Sequence, residues 1–449
     1  MSASFMTAAV AALTAVASPV RAVQAEAGET VAAIRTPSVA CVFDKRTGTL
    51  NSIVGTASGS KLVSAGDNEP LFQLVFAETG SEKKVYLSSL HARDRSVVAS
   101  SSSGIARLTL EFSRLDGRDV SATCTVWAAE KERAVHLRIS VKFGKGLQLE
   151  TVQFPFLRLA VPLGADANDD AVVMGRTKGG LLRAPLRWPE GTAVAARQPG
   201  SLAAQFACYY DPRGGLYTAC HDTAGHPKGI VLARDAAGLR MCWEQYTFSE
   251  DGQYELGYDV VVDSFGASGS ASADWRDAAD IYKSWAIKQA WCAKTYSRRP
   301  DVPKWMKAGP AMVRFGRDWL SEPQAILEWI DAYWRKYFPS QVPLIVAFWG
   351  WEKHGAWITP DYFPAFPSDE EFTALVAELR KRNCHVFLWP SGYHFTLTRG
   401  AKPDGSFEYD ARELFQRHFA PHAVWTRRGE PYHGPRSWLQ GGETACMCP

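Results

Sequence analysis

The chain has 449 residues, of which 46% are hydrophobic and 22% charged, and carries a formal net charge of +3. That length predicts two to three domains with ample core, in a composition ordinary for a globular protein. So small a charge, without a basic stripe or tail, argues against a nucleic-acid partner, and no apolar run is long enough to span a bilayer.

The N-terminus is Ala-rich and uncharged from Met1 to Val20. Ala8 to Ala17 has the character of a signal-peptide core, and Val20-Arg21-Ala22 or Val23-Gln24-Ala25 offers a cleavage site, although the basic n-region is missing. This reading assigns residues 1–25 to a leader and the protein to a secreted or periplasmic setting; the alternative is a disordered Ala-rich start.

Residues 36–266 read almost wholly as β. Short alternating segments recur at Val39–Phe43, Leu71–Phe76, Arg107–Phe112, Ala122–Trp127, Val135–Phe143, Leu157–Val161, Gly215–Cys220 and Tyr254–Val262. Turn signals such as Asp116-Gly117 and Asp251-Gly252 separate them, so the segment is expected to be a large antiparallel β-sandwich. His221, Asp222 and His226 cluster after one strand, but they lack a third ligand at helical spacing and read as a satisfied loop cluster. The nine Cys are scattered without CxxC or Cys/His spacing, and Cys446-Met447-Cys448 is too tight for a zinc knuckle. No metal and no cofactor is expected. One or two disulfides are open to a secreted chain, but most of these Cys read as small buried hydrophobes.

Composition shifts at residues 267–300, where Gly266 to Ser270 connects to a helix with Ala278, Ile281, Tyr282 and Trp285 on one face. Residues 301–449 then read as parallel α/β. Ala311–Phe315 is expected as a first strand, and Ser321 as the cap of a helix that buries Ile326, Leu327, Ile330, Trp334 and Tyr337. Leu344–Phe348 is a continuous apolar run suited to a strand buried on both faces. Ser368 and Glu371 form a capping box for a helix with Phe372, Leu375, Val376 and Leu379 inward. His385–Trp389 resumes the sheet, Tyr409–Phe419 reads as a shorter helix, and Glu443–Cys448 as the start of a fourth strand.

The unusual residues follow the C-terminal ends of two strands, where parallel α/β folds bind ligands. Trp349, Trp351, Glu352, His354, Trp357 and Asp361 follow one; Trp389, Tyr393 and His394 follow the next. Aromatic platforms interleaved with hydrogen-bonding groups suit sugars, whose CH faces stack on indole while their hydroxyls need directed partners. Trp349, Trp351, His354, Trp389, Tyr393 and His394 are therefore the candidate carbohydrate-binding residues.

The stretches WRDAADIYKSWAIKQAWC, VPLIVAFWGWEKHG with TPDYFP, HVFLWPSGYHF and the terminal ETACMCP resemble, as an ordered set, a family of predicted bacterial glycoside hydrolases whose barrel half is a domain of unknown function. FDKRTGTLNSI also resembles the opening strands of the galactose-mutarotase-like supersandwich. The resemblance implies a mutarotase-like β-sandwich followed by a (β/α)8 barrel, as in retaining exo-glycosidases with paired carboxylates, and leaves the sugar and linkage open.

Such a barrel needs about 250 residues, and Pro303 to Pro449 holds roughly half of one on that scale. The expectation is a chain that stops at its fourth barrel strand, does not hydrolyse by itself, and leaves its acid pair beyond Pro449. Glu352, Asp361 and Glu443 are the remaining catalytic candidates. Two other functions compete with a glycoside hydrolase: a non-catalytic carbohydrate-binding protein, and a mutarotase-like epimerase with His136 and Glu150 as its candidate pair. The oligomeric state is open.

Overall fold

The computed structural model describes residues 23–448 apart from 57, 67, 80, 82, 178, 268–270, 356–360, 390–392 and 427. The signal-peptide core at Ala8–Ala17, Trp357, and Thr359-Pro360 lie outside the described residues. The chain divides into two compact units, Met1–Ala293 and Lys294–Pro449.

The first unit is built on period-two alternation. In the strand Val120–Ala129 every second residue is buried, so Val120, Ala122, Cys124, Val126 and Ala128 enter the core while Thr123, Thr125 and Trp127 face outward. Its neighbour Val135–Phe143 does the same with Val135, Leu137, Ile139 and Val141. These strands belong to a ten-stranded sheet that also holds Ile105–Ser113, Val260–Gly266, Gly214–Cys220 and Leu202–Asp211. A six-stranded sheet contains Leu147–Arg158, Gly238–Ser249 and Lys228–Asp235, and a five-stranded sheet is formed by the opening strands from Gln24–Ala27 to Lys61–Ser64. All the strand pairs in these sheets are antiparallel. Their inner faces share one apolar core, in which Phe72 meets Phe112 edge-on at 5.1 Å and the fully buried Trp243 donates its indole N–H to Thr218 Oγ1 at 3.0 Å.

Two expected strands differ. Of the stretch Leu157–Val161 only Leu157 and Arg158 are in a strand, the end of the longer Leu147–Arg158, whose alternation is broken by bulges near Leu149 and Gln153; Leu159 makes an isolated bridge to Val63. Tyr254–Val262 is two strands, Gln253–Glu255 and Val260–Gly266. The break falls where Leu256 and Tyr258 both turn into the core and the Asp259 carbonyl accepts from the His221 N–H.

The helix Trp275–Ala286 is held at its start by Asp274, which accepts from the Arg276 N–H at 2.6 Å, while Asp277 accepts from the Asp274 N–H at 2.8 Å. Ala278 is fully buried, and Tyr282 stacks on Phe206 at 5.0 Å. The helix therefore covers part of the outer face of the ten-stranded sheet within the first unit.

The second unit has a three-stranded parallel sheet, Ala311–Phe315, Leu344–Phe348 and Cys384–Leu388. The helix Asp369–Lys381 joins the last two; Ser368 Oγ accepts from the Glu371 N–H, and Phe372, Leu375 and Leu379 are buried. Asn383, just past its end, takes φ 53°, the left-handed position that stops a helix.

Between the first two parallel strands the chain departs from expectation. Ser321 does not cap; the helix Pro323–Trp329 starts with Pro323 in its first turn, which needs no N–H there. Ile326, Leu327 and Ile330 are buried, but Tyr337 is 72% exposed, because the turn widens to π-helix at Ile330–Trp334 and rotates the last residues off the apolar stripe. Tyr409–Phe419 is not one helix: Phe407–Asp410 is a strand paired with Thr398–Ala401, followed by a short helical turn.

The segment Glu443–Cys446 is a strand, but not the fourth of a barrel. It pairs antiparallel with His394–Thr396 and His433–Pro435 in a separate three-stranded sheet. Among the described residues no helix is long and apolar enough to cross a membrane. No disulfide is present among them, and six of the nine Cys are buried; burial pushes the Cys41 and Cys124 thiols up.

Candidate functional site at the parallel strand ends

Trp349 is the first residue after Leu344–Phe348, and its N–H donates to the Phe315 carbonyl at 2.9 Å, which extends the sheet by one step. Trp389 is the first residue after Cys384–Leu388. The two strands run parallel with Phe348 opposite Leu388, so the residues that follow are neighbours. The indoles lie 5.8 Å apart at 47°. The Arg314 guanidinium sits 5.2 Å over the Trp349 ring, and Trp389 remains 45% exposed.

Trp351 does not join them. It is 4% exposed and packs in the core of the second unit against Tyr362, Phe363 and Phe372. Three residues past the strand, its side chain turns under the loop and becomes a packing anchor.

The loop that follows is tied down by a residue the sequence reading overlooked. Arg317 donates through Nη1 to the Gly350 carbonyl at 2.8 Å and the Glu352 carbonyl at 2.6 Å, and through Nη2 to the Lys353 carbonyl at 3.1 Å. Its guanidinium also stacks on Phe366 at 3.5 Å. Burial lowers the Arg317 pKa while the Glu352 charge pulls it back up. Glu352 is only 1% exposed, so this candidate acid is a buried neighbour of Arg317.

His354 and Asp361 are brought together: His354 Nε2 lies 2.8 Å from Asp361 Oδ2, both about a third exposed. Tyr409, on the short antiparallel ribbon, packs its ring 5.1 Å from the His354 ring, and Arg399 donates to the His354 carbonyl. Burial and the nearby Asp361 charge push the Tyr409 hydroxyl up to about 12, so it stays a donor at ordinary pH. Arg317, Arg399 and Tyr409 lacked a signal in the sequence because they reach this loop from other elements.

His394 and Tyr393 belong to the separate small sheet or its entrance. His394 Nδ1 faces Cys446 Sγ at 3.6 Å, and burial, then Arg436, lowers its pKa. Tyr393 is 73% exposed. Glu443 opens the last strand, in the small antiparallel sheet, and pairs with His433 Nδ1 at 3.2 Å. His136 and Glu150 lie on different sheets, and Glu150 pairs with Lys84, so they do not form the expected epimerase dyad. The loop cluster after the strand Gly214–Cys220 is satisfied internally: Asp222 accepts from Lys228 Nζ at 2.6 Å and faces His226 Nδ1 at 2.9 Å.

The family model of a domain of unknown function (DUF6259) matches residues 254–423, which take in the helix Trp275–Ala286 and all three parallel strands. No curated protein matches the sequence. Among solved structures the chain is similar to alpha-N-acetylgalactosaminidase NagBb from Bifidobacterium bifidum in its GalNAc complex, at 13% identity and a TM-score of 0.66, over 93% of this chain and 65% of that one. The ligand-free form of the same protein matches at 12% identity and a TM-score of 0.65, with the same coverage of each chain. The Gal-NHAc-DNJ complex matches at 14% identity and a TM-score of 0.64, over 93% and 64%. The chain thus spans slightly less than two thirds of the length of these structures. At this identity the likeness shows the fold alone: an antiparallel β-sandwich followed by barrel-type α/β structure.

Proposed function

We propose that the chain is a carbohydrate-active protein of glycoside hydrolase type, which grips a sugar ring at the Trp349–Trp389 pair. The observation that carries this reading is the pair itself: two indoles on adjacent parallel strand ends, one of them half exposed, with the Arg314 guanidinium over the other. Sugar CH faces stack on such rings, and the His354–Asp361 pair supplies polar partners for hydroxyls on the same loop. A secreted or periplasmic setting, read from the Ala-rich start, suits a glycan ligand.

Hydrolysis through an oxocarbenium-like transition state needs two carboxylates flanking the glycosidic bond. Glu352 is buried beside Arg317 and Asp361 is engaged by His354. We therefore assign these two acids to loop architecture and hydroxyl recognition, and no catalytic pair to them. Affinity for a panel of monosaccharides and oligosaccharides, measured on the chain and on Trp389→Ala, tests the binding reading; no affinity, or affinity unchanged in the variant, removes it. Release of nitrophenol from aryl glycosides separates a hydrolase from a binder.

A further inference from the structure

A second constellation lies in the first unit and takes no part in the site above. A cavity of about 820 Å³ opens on the outer face of the ten-stranded sheet beside the helix Trp275–Ala286, a size typical of ligand pockets. Outward-facing positions line it, as the alternation of the strands requires. Trp127 and His136, directly opposed across two strands, stack at 4.0 Å and 15°. Below the helix, His221 stacks on Trp285 at 4.4 Å and 8°. The cavity is thus walled by two ring stacks, one from the sheet and one shared with the helix.

Its polar groups are fixed. His136 Nε2 meets Glu132 Oε2 at 2.7 Å, and Nδ1 faces Asp259 Oδ2 at 3.3 Å. Arg138, two residues further along the same strand as His136, also pairs with Asp259. Asp263, 2% exposed, accepts from the Ser264 N–H at 2.7 Å and from Ser38, with Arg133 Nε at 3.6 Å. Burial holds His221 neutral, with a pKa lowered to about 3. Folding has no evident use for so many oriented polar groups at an open cavity.

Trp127 is also a wall of an adjoining cavity of about 400 Å³, whose lining is polar: Arg107, Thr123, Thr125, Ser140 and Glu255 among others. The two cavities share the Trp127 indole as a common wall on the outer face of the sheet, and together they are read as one trough. The acids Asp259 and Asp263 already have arginine partners, which disfavours a metal ion, and acids outnumber free cations, which disfavours phosphate. A hydrophobic ligand would leave the polar lining unmatched.

We infer that this trough is a second glycan site, which takes a neutral oligosaccharide laid across Trp127 with one residue on either side. It stands independently of the Trp349–Trp389 reading, since all its residues lie in the first unit.

The test uses the full chain carrying Trp349→Ala and Trp389→Ala, which disables the other site. A printed panel of neutral oligosaccharides of two to four sugars is applied to it, and the best binder is titrated. Binding that persists in this background and weakens about tenfold, the scale of one lost aromatic stack, in added Trp127→Ala supports the inference. Ser284→Trp, at an exposed helix position lining the cavity, fills it without altering a residue of the sheet and should block the same ligand even if Trp127→Ala folds poorly. No oligosaccharide bound in the double-variant background, or affinity unmoved by Ser284→Trp, overturns it.

Discussion

The indoles of Trp349 and Trp389 face each other at 5.8 Å because the strands before them pair Phe348 with Leu388. A pair of aromatic rings adds only about 0.5–1.5 kcal/mol beyond its buried area. Folding alone gives little reason to leave Trp389 45% exposed at a strand end, whereas a sugar ring would cover the exposed face.

The tryptophans of this loop should therefore separate in their effects. Trp351→Ala removes a ring packed against Tyr362, Phe363 and Phe372 and is expected to cost about 3–5 kcal/mol of stability. Trp389→Ala should cost well under half of that, because half the ring is in water. Chemical denaturation of the two variants checks this; equal losses would contradict the assignment of Trp351 to packing and Trp389 to recognition.

The buried Lys228–Asp222 pair should be a structural hinge-pin of the sandwich. Both side chains are at most 1% exposed, with Nζ to Oδ2 at 2.6 Å. Lys228→Ala leaves a carboxylate in the interior without its ammonium, at an expected cost of about 3–5 kcal/mol. Adding Asp222→Asn should recover part of that loss, since the amide carries no charge to strand. Urea midpoints of the single and double variants measure it, and a double variant weaker than the single by the full Asp222 effect would contradict the coupling.

Stability should fall on mild acidification through His221. Its folded pKa of about 3 lies below the ordinary 6.5, first because of burial and then because of the His136 charge, with Asp259 opposing. Between those two pH values the unfolded chain takes up a proton that the folded chain refuses, so the contribution is complete above pH 6.5 and lost progressively towards pH 3. Asp263 and Asp170, raised by burial, act in the opposite direction. The comparison with His221→Phe, which keeps a ring against Trp285, cancels their effect. The wild type is expected to lose more stability than the variant from pH 7 to pH 4 on the scale of an ordinary imidazole titration; parallel profiles would contradict it.

Much of this architecture was legible because it is periodic. Alternation marked the strands Val120–Ala129 and Val135–Phe143, and the Ser368–Glu371 box marked the helix that orders the last two parallel strands. Bulges hid the true start of Leu147–Arg158, since each shifts the alternation by one. At the strand ends, one-residue geometry decided the outcome: Trp349 continues the sheet line, while Trp351 turns inward. The partners Arg317, Arg399 and Tyr409 come from other elements, and nothing local in the sequence places them against the loop. Glu443 looked like the entry to a barrel strand because an apolar alternation does not encode its pairing partner.

The most direct measurement is a crystal structure of the chain soaked with the oligosaccharide it binds most tightly. A sugar ring is expected stacked on the exposed face of Trp389 beside Trp349, with hydroxyls reaching the His354–Asp361 loop. A saturating soak that fills the Trp127 trough yet leaves the Trp349–Trp389 pair bare, or a pair whose rings are covered by protein side chains in the crystal, would contradict it.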